Sequence, residues 1–130
     1  MRDIIVSNMF AIGWIGMLLG VVSGAIIGLF FHREDWMGGY SSFRRRLTRL
    51  GHISFFGLGF MNFFFAISHH IAGIAPAQAY AAAVSFTIGA ATMPIFCFLC
   101  AWRKPFRHGF FIPVLGVGVG IVLTLVGWPW

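Results

Sequence analysis

The sequence predicts an all-α integral membrane protein: an antiparallel bundle of four transmembrane helices, with both termini outside and basic loops in the cytoplasm. Three observations predict it. Of 130 residues, 59% are hydrophobic and only 9% are charged, against about 25% charged in a soluble domain. Long uncharged stretches recur, and about 20 apolar residues suffice to span a bilayer core. The bases gather in two short segments flanked by apolar runs, the pattern of cytoplasmic membrane loops. The net charge of +6 is therefore expected to meet anionic lipid headgroups, at about 1 kcal/mol per base; nucleic acid is excluded as a partner.

A single transmembrane domain covers residues 1–130. Ile4 to Phe31 carries no charge, and span one is placed at 9–31. It is too long for a secretory signal. Gly16, Gly20, Gly24 and Gly28 recur every fourth residue, with Gly13 and Ser23 beside them. Such a ridge admits another helix closely enough for van der Waals contact to drive association. Its partner, internal or in another subunit, stays open at this point.

Residues 32–49 form the first basic loop, HREDWMGGYSSFRRRLTR. Gly38-Gly39 marks a break, and Ser41 or Ser42 can cap the helix that follows. Phe43, Leu47 and Leu50 then share one face of a short interfacial helix, while Arg44, Arg45, Arg46 and Arg49 are expected to reach anionic headgroups.

Leu50–Trp102 holds no Lys, Arg, Asp or Glu and is too long for one span. It turns near Gly73 and Pro76, giving span two at 51–72 and span three at 77–101. Pro94 is expected to kink span three. The second basic loop is 102–108, WRKPFRH, and span four runs over 109–128, thinned by Gly116, Gly118 and Gly120. Loop one has five Lys or Arg, loop two has three, and the turn between spans two and three has none. The positive-inside rule then places both loops in the cytoplasm, most simply that of a bacterial inner membrane.

Span two carries most of the chemistry. At about 100° per residue, His52, Phe55, Gly59, Asn62, Ala66, His69 and His70 fall on one stripe. Phe56, Phe60, Phe64 and Phe65 fall outside it. In a bilayer the small and polar stripe seeks other helices and the aromatic wall faces lipid. A buried amide at Asn62 needs a partner, and Ser23, Ser85 or Thr87 on another helix is expected to supply it.

Three cofactor chemistries have candidate residues. Haem b needs two imidazoles on facing helices at one depth; His52 with His108 or His32, all near the cytoplasmic edge, offers such a pair. A quinone needs aromatic walls and a proton-handling group at one membrane face; His69 and His70, with Ser68 and Gln78 near Phe64 and Phe65, offer these. Cys97 and Cys100, one turn past Met93, are soft ligands of the Cu(I) type, but paired cysteines inside apolar helices also serve as small packing residues, and no metal is assigned. Nucleophile-elbow, zinc-protease and phosphate-loop motifs are absent from the sequence, as are intramembrane carboxylates. The expected role is a non-catalytic subunit or assembly partner of a larger membrane complex, in a respiratory or photosynthetic setting. The alternative is an electron-transfer subunit that binds haem or quinone.

Overall fold

The computed structural model describes residues 1–130. It contains four long helices and no strands: α1 (Arg2–Phe30), α2 (Phe43–Ala72), α3 (Pro76–Trp102) and α4 (Phe111–Val126). Short 3-10 turns at Trp36–Gly38 and Lys104–Gly109 occupy the two longer connections. By length and composition all four helices, the last counted from Lys104, are apolar enough to cross a membrane.

α1, α2 and α3 start before their expected spans, whereas α4 falls inside 109–128. No proline falls between 43 and 72, so the short interfacial helix expected before span two is its first two turns. Ser42 starts it: its hydroxyl accepts a hydrogen bond from the Arg45 N–H at 3.1 Å, satisfying one of the orphan donors of a helix start. Gly73 ends it in the left-handed conformation, φ +73°, which an L side chain adopts only with strain. Pro76 sits in the first turn of α3, where its missing N–H costs nothing. Pro94 lies inside α3, which remains helical through it to Trp102.

The helices pack in chain order. α1 rests on α2, α2 on α3 and α3 on α4, while α1 touches α3 only slightly and makes no substantial contact with α4. Each pair is antiparallel, since rising residue numbers on one helix meet falling numbers on the next: Gly13, Gly16, Gly20 and Gly24 face Phe63, Gly59, Phe56 and His52. The first four glycines of the α1 ridge therefore have an internal partner, α2. Gly28 has nothing within 4 Å.

The same joint recurs between α3 and α4. A Cβ on Gly16 would lie 3.1 Å from the Phe55 carbonyl oxygen and 3.5 Å from Gly59 Cα; on Gly116 it would lie 3.1 Å from the Ser85 oxygen and 3.3 Å from Gly89 Cα. On Gly20 it would be 2.6 Å from the Phe56 ring, and on Gly120 2.7 Å from the Phe86 ring. Gly-x-x-x-Gly on the outer helix thus meets Phe-x-x-Gly on the inner helix twice. Two glycines bring the backbones together, and a phenylalanine ring covers the next glycine along.

This joint corrects the aromatic wall. Phe60 and Phe64 are exposed as expected, but Phe56 covers Gly20. Phe65 is buried against Phe86, with ring centroids 5.2 Å apart. A glycine opposite or a ring across the interface draws an aromatic inward.

Arginines close three helix ends. Arg2 donates from Nε and Nη2 to the His69 oxygen at 3.2 and 3.0 Å, and from Nη2 to the His70 oxygen at 2.6 Å, at the end of α2. Arg44 donates to the Ala101 oxygen of α3 at 3.1 Å. Arg45 donates to the Phe31 and Arg33 oxygens beyond α1 at 3.0 and 3.3 Å. The last carbonyls of a helix lack internal donors and carry partial negative charge, so a guanidinium answers both needs.

The expectation that Arg45 reaches lipid headgroups is therefore wrong. It is 2% exposed, with the Phe31, Trp36 and Tyr40 rings 5.1, 5.4 and 5.2 Å from its guanidinium carbon. Arg49 lies 4.4 Å over Tyr40. Of the four arginines, Arg46 alone is exposed with no side-chain partner in the protein.

Candidate functional site

At the end of the molecule that holds the 73–75 turn, the last turn of α2 lies beside the first turn of α1 and the start of α3. His69 points inward there. It is 3% exposed and parallel to the Phe65 ring, at 6.2 Å and 7°. Neither of its ring nitrogens has a hydrogen-bond partner. Buried polar atoms are normally paired, so this imidazole is an exception that calls for a cause.

A cavity of about 180 Å³ adjoins it, lined by Met1, Arg2, Ile5, His69, Gly73, Ile74 and Pro76. The start of α3 has no side-chain cap and no acid in its first turn, so a positive helix end and the Arg2 guanidinium lie beside the imidazole; the start of α1 carries Asp3. Next to the cavity an apolar groove of about 480 Å³ runs between α1 and α3, past Ile12, Val84 and Ile88. Cavity and groove share Met1 and Ile5.

The other residues named for a quinone do not join His69 in this cavity. His70, one position on, is exposed. Ser68 lines a separate cavity of about 180 Å³ with Phe64, Phe65, Phe86 and Thr124. Gln78 packs at Gly127, where a Cβ would lie 2.7 Å from its own.

At the opposite, basic end His52 sits in the α1–α2 joint. Its Nδ1 is 3.1 Å from the Ser23 hydroxyl. A Cβ on Gly24 would lie 2.6 Å from His52 Cε1 and 3.2 Å from Nε2, and Phe56 meets the ring edge-on at 5.5 Å. His32 and His108 are exposed in the two loops and are not among these neighbours of His52. A cavity of about 350 Å³ at this end is lined by Phe43, Leu47, Cys100, Lys104, Arg107 and Phe110. Cys97 and Cys100 are both buried; Cys97 packs on Gly51, whose Cβ would lie 3.1 Å from that of Cys97. No three His, Cys, Asp or Glu side chains gather where they would hold a metal ion.

Asn62 departs from expectation. It is 1% exposed, but its amide donates to the Leu58 oxygen of its own helix at 2.7 Å, and its side-chain oxygen has no partner. Ser23 and Thr87 are engaged elsewhere, Ser23 with Gly20 and His52 and Thr87 with Ala83. Bonding back to the i−4 carbonyl satisfies one donor of the amide within its own helix.

No family model, curated protein or solved structure matches this chain.

Arg2 is the site residue that sequence reasoning missed. A signal for it existed. An antiparallel hairpin puts the start of α1 beside the end of α2, and the carbonyls before Gly73 need donors. Arg2 is the only Lys or Arg outside the two basic loops.

Proposed function

We propose that this protein is a non-catalytic subunit or assembly partner of a larger complex in a bacterial cytoplasmic membrane, with its basic loops in the cytoplasm and its turn end outside. The observation that carries this reading is the open packing order. α1 and α4 each rest mainly on one neighbour, and their far faces present exposed large residues: Ile15, Leu18 and Val22 on α1, Leu115, Val122 and Val126 on α4. Gly16 and Gly20 on α1 and Gly116 and Gly120 on α4 are spent on internal joints, and these flanks are built of bulky apolar side chains suited to lipid or to a neighbouring subunit's helix. The α1–α3 groove adds a concave surface that the chain itself leaves open.

The test is purification from its native membrane in a mild detergent. The reading expects larger membrane proteins to co-purify in a fixed ratio. Migration as a lone monomer in native gels, with no partner retained, would overturn it.

A further inference from the structure

The turn end combines features that a bare complex subunit does not require. Arg2 uses Nε and Nη2 on helix carbonyls, which leaves Nη1 free. Neither the adjacent Asp3 nor any other carboxylate pairs with it, since the one ion pair in the chain is Arg33 with Asp35 at 3.9 Å. His69, buried and unpartnered, lines the same cavity. The start of α3 at Pro76, uncapped by any side chain, adds a positive helix end. The guanidinium and the helix end favour an anion, and the imidazole has an N–H to donate to it.

The cavity sits at one end of a longer groove. It borders the α1–α3 groove, sharing Met1 and Ile5 as walls, and the groove's walls at Ile4, Val84 and Ile88 are exposed apolar side chains. A groove of about 480 Å³ falls in the range of small-molecule sites, roughly 300–1,000 Å³. A head cavity of about 180 Å³ exceeds the roughly 150 Å³ that admits a benzene ring, enough for a carboxylate or a phosphate.

We propose that the Arg2–His69 cavity and the α1–α3 groove form one site for an anionic lipid. The head oxyanion accepts hydrogen bonds from Arg2 Nη1 and from the His69 ring N–H, and the hydrocarbon chain lies along Ile12, Val84 and Ile88. A fatty acid and a phospholipid both present this chemistry. A partner helix would fill the groove but leave His69 unpaired, and an uncharged quinone would leave the guanidinium without a counter-charge.

Native mass spectrometry of the purified full chain in an uncharged maltoside detergent tests this, with oleate, phosphatidylglycerol, phosphatidylcholine and decylubiquinone as separate probes. A hydrogen bond to a charged group is worth about tenfold or more in affinity. One oleate or one phosphatidylglycerol per chain should therefore bind about tenfold or more tighter than the other two probes, and the stronger of the two anions identifies the source. His69→Leu should weaken that binding about tenfold. Val84→Trp lies on an exposed groove wall, so it spares the fold while blocking the chain, and should weaken binding at least as much. Gly118→Ala, on α4 where an added Cβ meets nothing within 4 Å, should leave it unchanged. Equal affinity for charged and uncharged heads, tighter binding of the quinone, or wild-type affinity in Val84→Trp would overturn the proposal.

Discussion

Replacing Gly116 by alanine should loosen the α3–α4 joint, whereas the same change two residues on, at Gly118, should not. A Cβ on Gly116 would lie 3.1 Å from the Gly89 nitrogen, 3.1 Å from the Ser85 oxygen and 3.3 Å from Gly89 Cα. All three are backbone atoms, so no rotamer change relieves the contact. The helices must part by a few tenths of an ångström along the joint, and overpacking of this kind costs about 1–3 kcal/mol. Gly118 has nothing within 4 Å, so alanine there meets open space. Both substitutions gain the same helix propensity, at most about 1 kcal/mol, which cancels in the comparison. Gly118→Ala should therefore be more stable than Gly116→Ala by about 1–3 kcal/mol. Equilibrium unfolding in mixed micelles, with tryptophan emission as the signal, measures the difference. The repeat of the joint predicts the same sign for Gly16→Ala against Gly28→Ala. Equal midpoints in both pairs would refute the joint as the source of helix order.

Other outcomes follow from single contacts. Arg2→Gln removes charge-assisted bonds to two α2 carbonyls and should destabilise by about 1–3 kcal/mol, with faster amide exchange near Gly73. Arg45→Met leaves the Phe31 and Arg33 oxygens without their donor and empties the ring cage, so residues 31–42 should become protease-sensitive; Arg46→Ala should change stability by less than about 0.5 kcal/mol, and the reverse ranking would contradict the cage. Asn62→Leu removes a buried, half-paired amide and should be neutral or stabilising by up to about 1 kcal/mol, whereas a loss of more than about 1 kcal/mol would reveal an interhelical partner. A cysteine placed at Ser41, in the first basic loop, should react with an impermeant maleimide only after the membrane is opened; labelling of intact cells would reverse the proposed orientation.

What the sequence made legible is what lipid dictates. Uncharged length marks the four helices, and Gly73 with Pro76 marks the turn, because neither effect depends on distant residues. The α1 glycine spacing announced a close helix contact but not its partner, since a ridge of small residues is complementary to many surfaces. Pairings across the chain were not legible. Arg44 meets Ala101 57 positions away and Arg2 meets His69 67 positions away, and basic residues beside apolar runs look the same whether they face lipid phosphate or a helix end. Phe56 and Phe65 were misplaced for a related reason: a periodic stripe sorts residues by polarity, while the actual interface sorts them by the glycine or ring that stands opposite. His69 was legible as a polar group at the turn end, but its burial, its unpaired nitrogens and the neighbouring Arg2 required the fold.

If inner joints of glycine and phenylalanine hold the helices together, their outer faces are left to lipid. Spin labels placed singly at Val22, Phe64, Val122 and Leu58, in a chain with Cys97 and Cys100 replaced by alanine and reconstituted in bilayers, test it most directly through their accessibility to dissolved oxygen. High oxygen accessibility at Val22, Phe64 and Val122 with protection at Leu58 is the predicted result. Protection at the first three, or accessibility at Leu58 equal to theirs, would contradict it.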